Sequence, residues 1–155
     1  MDKKLYDLMD WAGIEEIVYS EAADPHKLLG PHVTDDGLLI SAFIPTAVMV
    51  TVRLASSGKE FPMELADEAG FFSALIPRKN IPEYTLLVVY DNGTTEELHD
   101  PYAFSPLYTE SDLKKFEAGV HYTIYEKMGA HPANINGVAG VYFSVWAPCA
   151  MRVSV

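Results

Sequence analysis

The chain states one pattern twice. Residues Gly37-Leu38-Leu39-Ile40-Ser41-Ala42-Phe43-Ile44-Pro45-Thr46-Ala47-Val48-Met49-Val50-Thr51-Val52 return as Gly140-Val141-Tyr142-Phe143-Ser144-Val145-Trp146-Ala147-Pro148-Cys149-Ala150-Met151-Arg152-Val153-Ser154-Val155, with six of sixteen positions identical. Most other positions exchange one apolar or β-branched residue for another. A matching tag precedes each copy, Leu29-Gly30-Pro31-His32 and Met128-Gly129-Ala130-His131. Self-similarity at this offset, on the order of a hundred residues, is the signature of a duplicated sandwich-sized unit. The first copy has sequence enough for a whole unit, whereas the second breaks off at its second strand. Two strands alone cannot bury a face, so the sequence reads as the front end of something longer.

Within the first copy, period-two alternation of β-branched and aromatic residues predicts strands over 38–44, 48–54, 60–65, 71–76, 84–90 and 94–99. Turn-prone clusters separate them: Thr34-Asp35-Asp36-Gly37, Ser56-Ser57-Gly58 and Asp67-Glu68-Ala69-Gly70. Asn92-Gly93 is the strongest hairpin signal, because a two-residue type I′ turn needs positive φ at both positions. Six short strands in this space predict an all-β fold of immunoglobulin-like sandwich type. Ahead of them, Leu5, Leu8 and Met9 share a helical face, with Trp11 and Ala12 just beyond and Gly13 as a stop; a second short helix is predicted over 14–19. After them, Pro101 and Pro106 predict an extended connector. Thr109 or Ser111 then caps a helix through Leu113 and Phe116 that ends at Gly119. The organisation predicted is therefore an N-terminal helix (1–13), a first sandwich (14–107), a linker helix (108–120) and an incomplete second sandwich (121–155).

Charge and composition exclude more than they select. With 11 basic against 22 acidic side chains, the formal net charge is −11, and this repels nucleic-acid phosphates, whose binding needs clustered Lys and Arg. A neutral polysaccharide carries no charge to repel. The single Cys149 rules out an internal disulfide framework and fits a reducing compartment. The first ten residues, broken by acids, lack the apolar stretch of a secretory signal, and no run reaches membrane-spanning length. A cytoplasmic protein without membrane contact is the simple expectation.

Several segments, in this order and at this spacing, carry a resemblance. They are Asp24-Pro25-His26-Lys27-Leu28-Leu29-Gly30-Pro31-His32, Gly70-Phe71-Phe72-Ser73-Ala74-Leu75-Ile76-Pro77, Asp100-Pro101-Tyr102-Ala103-Phe104, Ile124-Tyr125-Glu126-Lys127-Met128-Gly129-Ala130-His131 and Phe143-Ser144-Val145-Trp146-Ala147-Pro148. Together they resemble the amino-terminal region of bacterial glycogen (1,4-α-glucan) branching enzymes across nearly the whole chain. The resemblance implies two early-set, immunoglobulin-like glucan-binding modules in tandem ahead of an α-amylase-type barrel. It implies a parent transferase that makes α-1,6 branches in glycogen biosynthesis, and an α-glucan and the parent's own catalytic barrel as partners. Cys149 stands where that family usually has Asn, which leaves the side-chain bonding of that turn open.

Catalysis is excluded by size. A (β/α)₈ barrel takes about 250 residues and alternates strands with long helices. Branching with retention needs a carboxylate nucleophile and a carboxylic acid about 5 Å apart. The pairs Glu15-Glu16, Asp35-Asp36 and Glu96-Glu97 are sequence neighbours that face opposite sides wherever they lie on a strand, and they read as solvated surface. His99-Asp100 mimics a barrel dipeptide but leads into the proline connector, so it reads as a strand end. No catalytic residue is assigned.

The five histidines do not form a metal motif either. His26 and His32 are six apart, His121 and His131 ten apart, and neither pair has a thiol nearby, whereas zinc needs three or four convergent ligands. The alternative is that His32 and His131, each placed by its glycine tag, tie a loop to the sandwich through ring hydrogen bonds. No Ser-His-Asp constellation, nucleophile elbow or phosphate loop is present. No metal site and no cofactor is expected, and Cys149 reads as an incidental thiol.

Glucan binding would rest on the aromatics, two Trp, nine Tyr and seven Phe, since flat rings cover the apolar C–H face of a hexose while polar neighbours take its hydroxyls. Most are expected in the core: Trp146 repeats Phe43, and Tyr84, Leu86, Val88 and Tyr90 share one strand face. The resemblance places the known sugar-stacking aromatics in loops after the strand ending at Val155. The candidates that remain are Tyr90, beside the Asn92-Gly93 turn, and Tyr108. Three roles are therefore open: direct glucan binding, a structural spacer that sets transferred chain length, and a protein-interaction sandwich. The apolar strand 141–155, lacking a partner, is also expected to give dimerisation, strand exchange or disorder beyond about residue 120.

Overall fold

The predicted alternation becomes eight strands in the first of two compact units, Met1–Ala103 and Phe104–Val155. The computed structural model describes residues 2–105 and 107–154. The strands are β1 (Gly30–Val33), β2 (Leu38–Phe43), β3 (Ala47–Leu54), β4 (Glu60–Pro62), β5 (Glu64–Asp67), β6 (Phe71–Ile76), β7 (Tyr84–Tyr90) and β8 (Thr95–Leu98). They form two antiparallel four-stranded sheets, ordered β1-β2-β6-β5 and β4-β3-β7-β8. This is the strand order of an immunoglobulin sandwich. Leu38, Ile40 and Ala42 from β2, with Phe72, Ala74 and Ile76 from β6, meet Val50, Val52 and Leu54 from β3 and Tyr84, Leu86 and Val88 from β7. All are buried.

The first sheet is buried on its other face too. Helix α1 (Lys3–Leu8) lies against β6, and helix α2 (Trp11–Val18) sets Ile14 and Ile17 on Leu29 and Phe71. Each such side chain contributes about 1.5–3 kcal/mol on burial. Because both faces of β6 are covered, its residues 71–74 are buried in succession instead of alternating. Ser41 and Ser73 stand opposite each other in the register and, being buried, share an Oγ–Oγ hydrogen bond of 2.8 Å.

Several sequence expectations are relocated. Gly13 is not a stop: it is the third residue of α2, whose N-cap Asp10 accepts from the Gly13 amide at 3.1 Å. A Cβ at Gly13 would meet Leu28 Cδ1 at 2.5 Å, so the glycine serves close approach. The predicted strand 60–65 is two strands in different sheets. Met63 lies between them, buried in the core with its amide on Val50 O at 2.9 Å. The Asn92-Gly93 turn is not type I′, since only Gly93 has positive φ, and the Asn92 side chain closes it onto the Thr94 amide at 2.9 Å. The two-residue turn with both φ positive is Asn136-Gly137.

That turn belongs to the second unit. Helix α3 (Glu110–Glu117) precedes a hairpin of β9 (Gly129–Ile135) and β10 (Val138–Ser144). Gly129 pairs with Ser144 as Gly30 pairs with Ser41, so the sequence repeat is a structural one through the first strand pair. The turn after it repeats as well, Ala47 N on Ile44 O and Ala150 N on Ala147 O, both 3.0 Å. Cys149 in place of Thr46 therefore leaves the turn's backbone bond intact. The equivalence ends there. Residues 145–154 form no strand, correcting the expected strand 141–155, of which Val155 lies outside the described residues. The reason is pairing: β3 is held by β7 and β4, and the described residues of the second unit contain no third strand. Of the predicted connector, Pro101 opens a single 3₁₀ turn and Pro106 lies outside the described residues.

Thr109 is the cap of α3. It forms a capping box with Asp112, whose carboxylate also accepts from His121 Nε2 at 2.9 Å and from Lys127 Nζ. These bonds, Lys127 foremost, hold the Asp112 carboxyl far below its ordinary value of 3.8. A depressed folded-state value means the carboxylate stabilises this unit above the ordinary value and ceases to do so as pH falls. Amide exchange over 109–117, taken relative to the intrinsic rate at each pH, is expected to accelerate on acidification from pH 6 to pH 3. In Asp112→Asn it should be fast at both, and unchanged exchange in the variant would contradict this.

Candidate functional site

The two candidate tyrosines lie in different units, Tyr90 in the first and Tyr108 in the second. Tyr90 ends β7 half-buried against the core, with its hydroxyl on Glu96 Oε2 at 3.3 Å. Burial and the Glu96 carboxylate push its phenol up. Tyr108 is half-buried and bonds Ser144 Oγ through its hydroxyl. The Tyr90 ring packs on the core, and in both residues the hydroxyl is engaged in a bond.

The histidines act as backbone ties. His32 Nε2 donates to Leu29 O at 3.2 Å, and His131 Nε2 donates to Met128 O at 2.8 Å, the same contact in both repeats. His121 is held by Asp112 and His26 packs edge-on to Tyr102 at 4.9 Å between centroids. Among the described residues, no three His, Cys, Asp or Glu side chains converge as metal ligands. Cys149 is exposed.

Asp100 is the acid most withdrawn from solvent. Its Oδ2 accepts from Tyr84 Oη at 2.5 Å and its Oδ1 from the Tyr102 amide at 2.9 Å. Burial raises its carboxyl above the ordinary range, opposed by the bonds from Tyr84 and Tyr102. Burial beside Asp100 also keeps the Tyr84 phenol protonated, as a donor. Tyr102 O then lies 2.5 Å from where a Cβ would stand on Gly30, whose φ is +88°, so only glycine fits there. Asp100 thus locks the end of the chain segment after β8 onto β7 and β1. The two acids of β8, Glu96 and Glu97, are exposed. Glu97 Oε2 pairs with Arg53 Nη1 at 3.1 Å on the open face of the second sheet, while Glu96 reaches Tyr90.

Sequence reasoning missed the aromatic pair at the α1–α2 junction. Tyr6 and Trp11 have centroids 5.0 Å apart and planes at 45°, and remain 55% and 40% exposed. The non-helical residues Met9 and Asp10 between α1 and α2 interrupt the helical period, so no spacing rule joins the two residues. Behind the junction, Met9, Asp10, Leu28, His32, Ser41 and Phe71 line a cleft of about 290 Å³ between helices and sheet. Three of the polar side chains at its wall have partners: Asp10 caps α2, His32 holds Leu29, and Ser41 holds Ser73.

Fold and surface together define an all-β sandwich module with a helical layer and exposed rings. Residues 10–102 match the family of the alpha-1,4-glucan branching enzyme GlgB, N-terminal domain, and the chain belongs to that family. Among solved structures it is similar to apo pullulanase from Paenibacillus barengoltzii (22% identity, TM-score 0.43, covering 65% of this chain and 16% of that one). It is also similar to pullulanase from Anoxybacillus sp. LM18-11 complexed with maltotetraose (17% identity, TM-score 0.45, covering 99% and 18%). A third is the catalytic module of the multi-modular glycogen-degrading pneumococcal virulence factor SpuA (20% identity, TM-score 0.42, covering 69% and 16%). The chain spans less than a fifth of the length of each. Among the described residues no helix is long and apolar enough to cross a membrane.

Tyr84→Phe tests the Asp100 lock. Removing the donor from a buried carboxylate should cost about 1–3 kcal/mol. Because Asp100's carboxyl is already raised, the stability it supplies is present below the ordinary value of 3.8 and drains as pH rises through the raised one. Loss of the Tyr84 bond raises it further, so the penalty measured by denaturant unfolding should be larger at pH 7 than at pH 4. An equal penalty at both would refute the account.

Proposed function

We propose that this chain is the amino-terminal, non-catalytic part of a 1,4-α-glucan branching enzyme, working in the cytoplasm, and that its first module binds or orients α-glucan. The observation that carries this reading is the family match over residues 10–102, which spans most of the sandwich of the first unit. Three features support it. The chain is strongly acidic, which suits a neutral polymer and opposes polyanions. Large aromatic rings stand on the surface of the same unit. Among the described residues the strands form two four-stranded sheets and one hairpin, so on this reading the parent's acid and nucleophile would lie elsewhere in its sequence. In affinity electrophoresis the 155-residue chain should be retarded by glycogen or amylopectin; identical mobility with and without polysaccharide would sink the proposal.

A second reading has its own observation. The outer face of the second sheet carries exposed Met49 and half-buried Leu87 and Val89 beside the Arg53–Glu60–Glu97 ion pairs. Such a mixed face suits packing on the parent's catalytic barrel, where the module would act as a spacer that sets the transferred chain length. Deleting residues 1–107 from the full enzyme should then change the branch-length distribution at unaltered glycogen affinity. Loss of affinity with an unchanged distribution would reject the spacer.

A further inference from the structure

Resting on the glucan-binding reading above, we infer that the binding surface of the first module is the Tyr6–Trp11 pair, and that it takes a curved α-1,4-glucan strand. The two rings keep 55% and 40% of their surface in solvent, and an adjacent exposed pair differs from the scattered apolar residues that any surface shows. Here α1 and α2 meet at a sharp break, and each contributes one ring. The separation of 5.0 Å is comparable with the span of one hexose, and the 45° tilt makes a shallow V in place of a flat shelf. A flat shelf matches the straight ribbon of a β-1,4-glucan. A V follows the curl of an α-1,4 chain, whose successive sugars turn their C–H faces along an arc.

The polar surroundings fit the same ligand. Glu15 is one helical turn from Trp11 on α2, exposed, and Asp7 follows Tyr6 on α1, where Lys3 Nζ meets it at 3.2 Å. Carboxylates flanking apolar rings accept sugar hydroxyls and reject phosphate or sulfate. Both helices are pinned to the sheet, α1 at β6 and through buried Leu5, α2 through Ile14 and Ile17. The rings are therefore held in place before a ligand arrives, and little ordering cost remains.

The test uses the intact 155-residue chain, with glycogen in affinity gels and maltoheptaose or cellohexaose in titrations. Trp146→Phe leaves Trp11 as the only indole, so its emission reports on this surface. Maltoheptaose should shift and intensify that emission, and cellohexaose should leave it unchanged. Trp11→Ala and Tyr6→Ala should each weaken glycogen binding roughly fivefold to tenfold, whereas Trp11→Tyr should retain most of it. Should an alanine variant fail to fold, Glu15→Ala, at an exposed position, carries the test and should weaken binding as well. Wild-type retardation with undiminished binding in the Glu15, Trp11 and Tyr6 variants would overturn this assignment and leave glucan binding to another surface. Equal response to cellohexaose would overturn the curved-chain specificity. No retardation of the wild type would reject the glucan-binding reading itself.

Discussion

Burial of both faces of the β1-β2-β6-β5 sheet is the constraint on which the first unit depends. A strand covered on one side alternates, but β6 packs Phe72 and Ala74 against the second sheet while Phe71 meets α2. Polar side chains on the helix-facing side must then find each other, as Ser41 and Ser73 do. The helical layer is not an appendage in this arrangement. It closes a second, smaller core, and the geometry of its closure decides where Tyr6 and Trp11 stand.

The second unit repeats this layer with different chemistry. Asp10 and Thr109 both cap a helix by accepting from the amide three residues on, and the pairs Gly13/Asp112, Leu28/Lys127, Gly30/Gly129 and His32/His131 keep one constant spacing. Leu28 fills the space that Gly13 leaves. At the corresponding positions Lys127 bonds Asp112. An apolar contact in one copy is an ion pair in the other, on the same backbone frame. The first needs burial and is indifferent to pH, while the second depends on an ionised carboxylate. Val141 and Phe143 are more than half exposed where their repeat equivalents Leu38 and Ile40 are fully buried, since the sheet that covers β2 has no counterpart among the described residues of the second unit.

Much of this was legible in the sequence, for physical reasons that can be named. The strands 71–76 and 84–90 were read to the residue because core burial imposes a strong pattern on them. β1 was missed because it is four residues long and contains Pro31, so it shows no alternation. The switch of sheets at Met63 left no break in apolar character. Gly13 was read as an ending because glycine punctuates helices more often than it yields space to a neighbour. The two Asn-Gly dipeptides looked alike, yet only Asn136-Gly137 joins strands whose register calls for a two-residue turn. The aromatic pair was invisible because its rings come from two helices on either side of a break, and Tyr90 and Tyr108 stood out only by their nearness to turns.

The two outer surfaces of the first sandwich differ in chemistry. On one side, helices cover the sheet and hold out rings framed by carboxylates, a surface chemically suited to a neutral polymer that exchanges hydroxyl contacts with water. On the other, β3, β7 and β8 keep a bare sheet face where Met49, Leu87 and Val89 lie beside charges already paired within the sheet. Paired charges need no outside partner, so a protein surface laid there would desolvate few unmet groups. On the two readings proposed above, glucan holding and spacing would draw on opposite layers of one module. A module using both would show the separation directly, with substitutions at Tyr6 or Trp11 moving affinity and substitutions at Met49 or Leu87 moving chain length.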